Sequence, residues 1–211
     1  MNQTPVRVAV LGSTRGSSLQ PVIEAIEAGE LNATIVAVIS NRKKSGILER
    51  AQVHKLKDYF ISAKDKEREQ FDSEVSQILV KEKADLILCI GYMRFLSKEF
   101  VNQWFGKVAN VHPSLLPKHP GLMDLEVHQA VIDAGDTETG CTVHLIDEGI
   151  DSGPIFIQLK VAVSKKDTAE ILKAKVQPLE GQAFIQLIEA WPMKAIPQNS
   201  FTSQYCFNKE G

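Results

Sequence analysis

The sequence predicts an α/β protein with a Rossmann-like, mostly parallel open sheet, helices on both faces, and late strands that are partly antiparallel. First, short apolar runs rich in valine and isoleucine alternate with segments that carry apolar residues at helical spacing. Second, these runs lack polar alternation, which is typical of strands buried on both faces of a sheet. Third, the last strands are joined by shorter loops, which favours antiparallel pairing there.

The first half of the chain alternates strands with helices. Strands are predicted at the apolar runs, residues 7–12, 33–40, 59–61 and 85–91. Helices are predicted where apolar residues recur every three or four positions, after the serines 17 and 18 and at residues 45–54, 65–80 and 97–104. The first helix has Ser17 or Ser18 as its cap, Pro21 in its first turn and Gly29 to stop it.

The second half begins with a strand at residues 108–112, followed by a helix that Asp124 caps and Gly135 ends. Two later strands are predicted at residues 141–147 and 154–163, joined by the loop EGIDSG. These strands are the ones expected to pair in the antiparallel direction.

The last helix has its own start and break signals. Asp167 and Glu170 lie three residues apart, which predicts a capping box. Pro178 and Gly181 are expected to kink or divide the helix before it ends near Trp191, because proline lacks the amide that a helix needs.

Composition and charge limit the function classes. The chain has 211 residues and a formal net charge of −2, and no basic tract indicates nucleic acid. Its three cysteines are far apart, which excludes a disulfide framework and fits a reducing cytoplasm. We find no secretory signal or membrane span. We expect one cytoplasmic domain over residues 1–191, followed by an irregular tail over residues 192–211.

Residues 107–121, KVANVHPSLLPKHPG, are the most informative stretch. A buried strand ends at His112, because three prolines follow and proline has no amide proton for a sheet hydrogen bond. Asn110 and His112 are two apart, so their side chains share one side of the pleat. Open parallel sheets bind ligands at the carboxyl ends of their strands. The alternative is a simple strand exit, in which His112 hydrogen-bonds a backbone carbonyl.

Residues 12–18, GSTRGSS, connect the first strand to the first helix. Small residues there let backbone amides point at an anion, and the helix dipole adds to the attraction. The spacing matches neither GxGxxG nor a P-loop, so it favours a single phosphate monoester over a dinucleotide or a nucleoside triphosphate. The alternative is a tight turn before a capped helix.

Two further loops carry candidate residues. MRFL, residues 93–96, places Arg94 among large apolar side chains, where it either lines a pocket for a flat, partly charged ligand or extends past the core to water. DEGIDSGPIF, residues 147–156, carries Asp151 at the centre of a flexible loop. Asp151 either pairs with His112, which would orient the ring and favour its protonated form, or forms an Asx-turn.

The available side chains favour direct transfer between two bound substrates. The chain has no nucleophile elbow and no HExxH motif, and its five histidines share no metal-ligand spacing. An amide and an imidazolium stabilise a developing oxyanion, and a carboxylate handles protons. His119 is expected to line the proline-rich loop with Lys118. The other histidines are expected to be surface or structural residues: His54, His128 and His144.

The motif NVHPSLLPKHPG, residues 110–121, resembles the signature of the folate-dependent formyltransferases, and IDSGP, residues 150–154, resembles the aspartate loop that accompanies it. The similarity extends to the final helix and is strongest toward the phosphoribosylglycinamide formyltransferases of purine biosynthesis. The resemblance implies transfer of the formyl group of 10-formyltetrahydrofolate, a co-substrate, to the amine of glycinamide ribonucleotide in a ternary complex. These small molecules are the expected partners of a monomer or homodimer, with no metal, nucleic acid or membrane.

The resemblance also implies the site residues. The catalytic trio would be Asn110, His112 and Asp151. The ribonucleotide would be held by Gly16, Ser17, Ser18 and Glu180. The folate would be held by Arg68, Met93, Arg94, Phe95, Leu96, Asn110, Asp147, Gly149 and Ile150. Two features depart from the family pattern: the phosphate loop lacks the last asparagine of Ser-Gly-Asn-Gly-Ser-Asn, and the segment after Gly121 is longer than in bacterial members.

Other functions share parts of this pattern. Methionyl-tRNA formyltransferases carry an extra C-terminal barrel and formyltetrahydrofolate deformylases an extra N-terminal domain, and the length of this chain leads us to expect neither. Binding of tRNA would also need a basic surface. Sugar formyltransferases share the central signature. A non-catalytic protein that binds a folate or a phosphorylated metabolite is an alternative of another class, but the presence of all three catalytic residue types favours an enzyme.

Overall fold

The structure is a computed structural model that describes residues 4–192. Seven strands form one mixed sheet in the order β3-β2-β1-β4-β5-β6-β7, which confirms the predicted fold class. In chain order the elements are β1 (Val6–Leu11), α1 (Leu19–Glu27), β2 (Ala33–Ser40), α2 (Gly46–Val53), β3 (Asp58–Phe60), α3 (Arg68–Lys81), β4 (Leu86–Cys89), α4 (Lys98–Gln103), β5 (Val108–His112), α5 (Leu125–Asp133), β6 (Glu138–Leu145), β7 (Ile155–Ala162) and α6 (Ala169–Glu189). From residue 193 onward, the predicted irregular tail lies outside the described residues.

The chain divides after Ala109 into two compact units. In the first unit, β1 pairs in parallel with both β2 and β4, and β2 pairs in parallel with β3. β1 and β2 are mostly buried, as expected for strands covered on both faces. Of the apolar stripe predicted for α1, Leu19, Val22 and Ile23 are buried and Ile26 is half-buried. Because these strands are parallel, the loops that follow β1, β2 and β4 leave from the same edge of the sheet.

In the second unit, β6 and β7 pair in the antiparallel direction, which confirms the prediction for the late strands. Their register shifts between Val143 and His144, so the strand is irregular at that point. α6 packs against both strands and against α5. Its buried side chains include Leu172, Val176, Phe184 and Leu187.

Two predicted boundaries are wrong by three residues. α3 begins at Arg68 and not at Asp65, because Asp65 has a left-handed backbone with φ of +58° and a capping box forms between Glu67 and Gln70. β6 begins at Glu138 and not at Cys141, because pairing with β7 already starts at Glu138 opposite Ala162. Apolar character alone did not reveal the polar start of this strand.

The start of α6 was also predicted wrongly. Thr168 is the N-cap, and its side chain accepts a hydrogen bond from the amide of Ile171. Asp167 instead accepts a hydrogen bond from the amide of Ser164 and pairs with Lys175, so it makes no capping box with Glu170. The competing lysine explains why the correct spacing did not give the expected motif.

Two other helix predictions, a division of α6 at Pro178 and a side-chain cap from Asp124, fail for tertiary reasons. α6 runs unbroken through Pro178. A proline removes one helical hydrogen bond, but buried side chains on both sides of Pro178 hold the helix against its neighbours. Asp124 stands at the N-cap of α5, but it has φ of +54° and its side chain pairs with Lys173 on α6 in place of capping.

No helix among residues 4–192 is long and apolar enough to cross a membrane. Cys89 and Cys141 are buried thiols. Burial raises the pKa of both thiols to about 12, so both are protonated at neutral pH and neither is a reactive nucleophile. The third cysteine, Cys206, lies outside the described residues.

Candidate active site

His112 ends β5, where Pro113 stops the strand as predicted. His112 is only 3% exposed. Nε2 lies 2.8 Å from the backbone carbonyl oxygen of His119, and Nδ1 lies 3.1 Å from Oδ2 of Asp151. The sequence offered a backbone carbonyl and Asp151 as alternative partners for this ring, and the structure contains both.

The two partners of His112 define its protonation. A carbonyl oxygen only accepts hydrogen bonds, so Nε2 carries a proton. An ionised carboxylate also only accepts, so Nδ1 carries a proton as well, and the ring is the imidazolium form. Because Nε2 is occupied by the His119 carbonyl, Nδ1 is the ring nitrogen that lies beside the other candidate catalytic groups.

Asp151 gathers several hydrogen-bond donors around its carboxylate. The amide of Gly121 donates to Oδ2 at 2.8 Å, and Nε2 of His144 lies 3.4 Å from Oδ1. Burial alone would raise the pKa of Asp151, but hydrogen bonds from two histidines and a backbone amide, with the charge of His112, outweigh it and hold the pKa well below its usual range. Asp151 is therefore ionised at neutral pH, which the imidazolium assignment requires.

Asn110 joins this cluster through a histidine that the sequence analysis did not select. Nδ2 of Asn110 lies 3.2 Å from Nε2 of His144, the same nitrogen that approaches Asp151. Nδ1 of His144 faces the carbonyl oxygen of Leu145 at 3.1 Å. The structure thus brings together all three residues of the predicted catalytic trio, with His144 between Asn110 and Asp151.

The loop that carries Asp151 contains the predicted folate residues Asp147, Gly149 and Ile150. Oδ1 of Asp147 accepts hydrogen bonds from the amide of Gly149 and from the hydroxyl of Ser152, both at 2.9 Å. The Asx-turn considered for Asp151 is therefore formed by Asp147. Ile150 is exposed, so this loop presents an apolar side chain at the surface of its unit.

Glu180, predicted to bind the ribonucleotide, lies on α6. Burial is the main cause of the raised pKa of Cys141 on β6, and the negative charge of Glu180 adds to it. The Glu180 carboxylate is therefore close to the strand that also carries His144.

In the first unit, the predicted phosphate loop has a left-handed backbone at Gly16, a conformation that favours glycine. Gly16 has φ of +63°, and a Cβ atom there would lie 2.5 Å from Cγ1 of Ile47. The next residues, Ser17 and Ser18, lead into α1, where Ser18 occupies the N-cap position. Arg15 is exposed beside them. Gly16 and Ser18 are buried and Ser17 is half-buried, so small residues make up this turn into α1.

Ser13 connects this loop to the predicted folate segment. Its hydroxyl donates to Oδ1 of Asn41 at 2.7 Å and accepts a hydrogen bond from the amide of Met93 at 2.9 Å. Its own amide donates to the carbonyl oxygen of Gly91 at 3.0 Å. One buried serine thus fixes the loops that follow β1, β2 and β4, a role that its sequence position alone did not suggest.

The predicted folate segment, residues 93–96, exposes its apolar side chains. Met93 is 42% and Phe95 64% exposed, and Leu96 is half-buried. The guanidinium of Arg94 instead stacks on the buried ring of Phe71 at 4.3 Å. Met93 and Phe95, more than the Arg94 side chain, are therefore the groups available to a flat ligand.

Arg68, also predicted to contact folate, begins α3 and is exposed. It lies one turn before Asp72, which is a buried carboxyl. Burial raises the pKa of Asp72, and this effect outweighs the positive charges of Arg94 and Arg68, which lower it. Oδ2 of Asp72 accepts a hydrogen bond from the amide of Ser97 at 2.5 Å, which holds the end of the 93–96 segment.

The cluster of the second unit can stabilise negative charge and move protons. An imidazolium and an amide are donors for a developing oxyanion, and the ionised Asp151 is an acceptor for a released proton. Among residues 4–192, no three histidine, cysteine, aspartate or glutamate side chains are grouped as metal ligands.

Comparison with known proteins identifies the family of this chain. The sequence pattern of the family described as formyl transferase matches residues 6–188. The chain belongs to the formyl transferase family. The match includes every residue predicted to bind a substrate or take part in catalysis.

Individual relatives in this family are similar along most of the chain. The phosphoribosylglycinamide formyltransferase of Escherichia coli is 35% identical over 187 residues, which cover 88% of this chain and 86% of the relative. The crystal structure of phosphoribosylglycinamide formyltransferase from Brucella melitensis superposes with a TM-score of 0.83 at 36% identity, covering 91% of this chain and 98% of that one.

Longer relatives contain the same domain. The trifunctional purine biosynthetic protein adenosine-3 of Drosophila melanogaster is 41% identical over 187 residues, which are 87% of this chain. The match spans only 14% of that relative's length. The family therefore includes this domain both as most of a chain and as a small part of one.

Two residues near this cluster were not predicted for the site: His144 was expected to be a surface or structural residue, and Thr142 was not selected. His144 is 3% exposed, so the surface assignment is wrong. Thr142 Oγ1 donates to the carbonyl oxygen of Ser114 at 2.7 Å and accepts a hydrogen bond from the amide of Leu116 at 3.0 Å. One signal was available: both residues lie two apart on a strand that runs directly into the Asp151 loop.

Proposed function

We propose that this formyl transferase moves the formyl group of 10-formyltetrahydrofolate to the amine of glycinamide ribonucleotide, in de novo purine biosynthesis. The observation that carries the proposal is the buried contact of 3.1 Å between Nδ1 of His112 and the ionised Asp151, joined to Asn110 through His144. The similarity to phosphoribosylglycinamide formyltransferases of equal length supports the choice of substrates.

The first step of the proposed reaction is attack by the substrate amine on the formyl carbon. Negative charge then develops on the formyl oxygen, where the Asn110 amide and the positive charge of the His112 ring would stabilise it. No acyl-enzyme forms, so both substrates must be bound together. Positioning two reactants contributes up to roughly 7–11 kcal/mol, more than one side chain supplies.

The second step breaks the bond between the formyl carbon and the folate nitrogen. His112 would give its Nδ1 proton to that nitrogen, and Asp151 would take a proton from the attacking amine through water. After this step the His112 ring has one proton less and the Asp151 carboxyl one more. Transfer of that proton from the carboxyl to Nδ1 of His112 restores the starting state. Atoms and charges balance without a metal or a redox group.

The remaining site residues have binding roles in this proposal. The ribonucleotide phosphate would be held by amides of the Gly16, Ser17 and Ser18 loop, and its sugar by Glu180. The residues that we propose for folate binding are Arg68, Met93, Arg94, Phe95, Leu96, Asn110, Asp147, Gly149 and Ile150. We further propose that residues 1–191 act as a single formyltransferase domain, in the cytoplasm, as a monomer or homodimer.

A direct assay tests the proposal. The purified chain is mixed with glycinamide ribonucleotide and 10-formyltetrahydrofolate that carries a labelled formyl carbon, and the label is followed into the ribonucleotide. We expect label transfer that depends on His112, with initial-rate lines that intersect as a ternary complex requires. Binding of both ligands by the folded protein without turnover would favour the non-catalytic alternative, and parallel initial-rate lines would contradict direct attack.

A further inference from the structure

Asp136 is a half-buried carboxylate that the proposed reaction does not use. It follows α5, where Gly135 has φ of +67° and the amides of Gly135 and Asp136 bond back to Ile132 and Val131 at 2.9 and 3.2 Å. This double hydrogen bond is a Schellman motif, which fixes the backbone at the helix end. Asp136 therefore projects from a rigid support.

The side chain of Asp136 holds two neighbouring residues of the proline-rich loop. Oδ2 lies 2.8 Å from Nε2 of His119, and Oδ1 lies 2.6 Å from Nζ of Lys118. The side chains of Asp136 and His119 are 12% and 15% exposed, whereas that of Lys118 is 60% exposed. The hydrogen bond from His119, then that from Lys118, lowers the pKa of Asp136, so the carboxylate is ionised. The contact with His119 is thus the better shielded of the two.

His119 connects Asp136 to the catalytic imidazole. Its backbone has φ of +55°, a left-handed conformation that is strained for a residue with a side chain and persists only where the surroundings hold it. In this conformation its carbonyl oxygen accepts the hydrogen bond from Nε2 of His112 at 2.8 Å. Whatever holds the His119 backbone therefore also decides which ring nitrogen of His112 is occupied.

The rest of the loop has separate supports. Thr142 holds Ser114 and Leu116, and Gln158 donates to the carbonyl oxygen of Leu116 at 2.8 Å. Ser114 Oγ also donates to the carbonyl oxygen of Lys118 at 2.6 Å, so the tether from Asp136 that matters acts further along, at the His119 side chain. Loss of this tether should therefore release the His119 carbonyl without releasing the start of the loop.

We propose that Asp136 is a positioning residue for catalysis: by holding the His119 side chain, it keeps the His119 carbonyl on Nε2 of His112 and so directs Nδ1 toward Asp151. The role of the His112 proton rests on the proposed formyl transfer. The link from Asp136 through His119 to the His112 ring does not, and can be tested without substrates.

The test compares variants that keep the His119 carbonyl but change its tether. His119→Phe and Asp136→Ala remove the hydrogen bond, and His119→Gln keeps a side-chain donor for Asp136. Lys118→Met is the matched control, because it removes the other, more exposed partner of Asp136. Histidine ring spectra of the full chain labelled with nitrogen-15 give the protonation of each His112 nitrogen, with the His112 signals identified by their loss in His112→Gln.

We expect His119→Phe and Asp136→Ala to weaken the Nε2 hydrogen bond of His112 in the spectra and to lower kcat by about 10- to 100-fold with little change in KM, since small misplacements of a catalytic group cost this much. The double variant that combines His119→Phe with Asp136→Ala should have a kcat no lower than that of the poorer single variant. His119→Gln should restore most of the rate and the spectrum, and Lys118→Met should match the wild type.

Other outcomes would overturn the proposal. Wild-type His112 spectra and kcat in both His119→Phe and Asp136→Ala, with lowered melting temperatures, would show that the tether only stabilises the fold. A loss of kcat in Lys118→Met as large as in His119→Phe would show that the charge of the group formed by Asp136, Lys118 and His119, and not the His119 tether, causes the effect. If the wild-type chain transfers no formyl group, the proposed function fails, and the spectra alone still decide whether Asp136 controls the His112 ring.

Discussion

Oδ2 of Asp151 lies 3.1 Å from Nδ1 of His112, and the residue that occupies the other ring nitrogen, His119, has the same unusual backbone as Asp151. Asp151 has φ of +50° and His119 has φ of +55°. Left-handed backbone at a residue with a side chain persists only where the surroundings hold it, and such residues concentrate at functional sites. Both partners of the proposed catalytic imidazole therefore occupy strained positions, each supported by its own hydrogen bonds.

The first prediction concerns this pair. His112→Ala and Asp151→Asn should each lower kcat for formyl transfer by about 10²–10⁴-fold, because each removes a positioned acid or base, while KM changes far less. The two residues act as a unit in the proposed mechanism, so the double variant should be little worse than the poorer single one. Steady-state kinetics with both substrates measure the effect.

Asp133→Asn is a matched control for this series, because Asp133 is exposed on α5 and only accepts a hydrogen bond from Gln129. It should retain the wild-type rate. Fully additive losses in the double variant would show that His112 and Asp151 act independently, and a near-normal kcat in either single variant would remove that residue from the mechanism.

The second prediction concerns the glycine of the phosphate loop. Gly16→Ala should destabilise the protein, because φ of +63° strains any side chain and the new Cβ would lie 2.5 Å from Ile47. Gly29→Ala is the control, since Gly29 has φ of +73° but no heavy atom lies within 4 Å of the added Cβ. Overpacking should make Gly16→Ala less stable than Gly29→Ala by about 1–3 kcal/mol in urea unfolding. Equal losses would mean that contact with Ile47 does not restrict the loop.

The third prediction concerns the exposed apolar residues of the folate segment. A folate analogue should raise the melting temperature without ribonucleotide, by mass action. Phe95→Ser should reduce this shift while hardly changing the melting temperature of the free protein, because Phe95 is 64% exposed. Val53→Ser, at a side chain 77% exposed on α2, should leave the shift intact. An undiminished shift in Phe95→Ser would exclude Phe95 from the folate site.

The fourth prediction concerns stability against pH. Burial, with the positive charges of Lys173 and His112 adding to it, lowers the pKa of His128 from 6.5 to about 4. The unfolded chain therefore binds a proton as pH falls below about 6.5, while the folded protein does not until about pH 4. Above pH 6.5 this ring does not make the free energy of unfolding depend on pH. Between pH 6.5 and pH 5 it lowers the free energy of unfolding by up to about 2 kcal/mol.

Urea unfolding at pH 7 and pH 5 measures this dependence. In His128→Gln, which carries no titrating ring, the loss of stability between the two pH values should be smaller than in the wild type. An equal loss in both proteins would show that His128 is not the source of the pH dependence.

Much of the fold followed from local pattern. Apolar runs predicted β1, β2, β4 and β5, and helical spacing predicted α1 with the buried stripe seen in the structure. The failures arose where side chains far apart in sequence compete for one partner. Asp167 was expected to cap α6 but pairs with Lys175, and Asp124 was expected to cap α5 but pairs with Lys173.

The candidate site shows the same division. Asn110 and His112 were placed together from the sequence, because two residues on one strand before a proline necessarily share a side of the pleat. Their contact with Asp151 was one of two alternatives. His144 was missed: the register of β6 shifts at that residue, so alternation along the strand did not indicate where its side chain lies.

The amino-acid sequence alone determined the α/β class, the strand that carries Asn110 and His112, and the family resemblance, because each depends on neighbouring residues or on a contiguous motif. The tertiary structure decided that Nε2 of His112 meets the His119 carbonyl while Nδ1 meets Asp151, and that His144 lies between Asp151 and Asn110. These contacts join β5, β6 and two loops, and their geometry depends on backbone conformations that hydrogen bonds between distant residues hold in place.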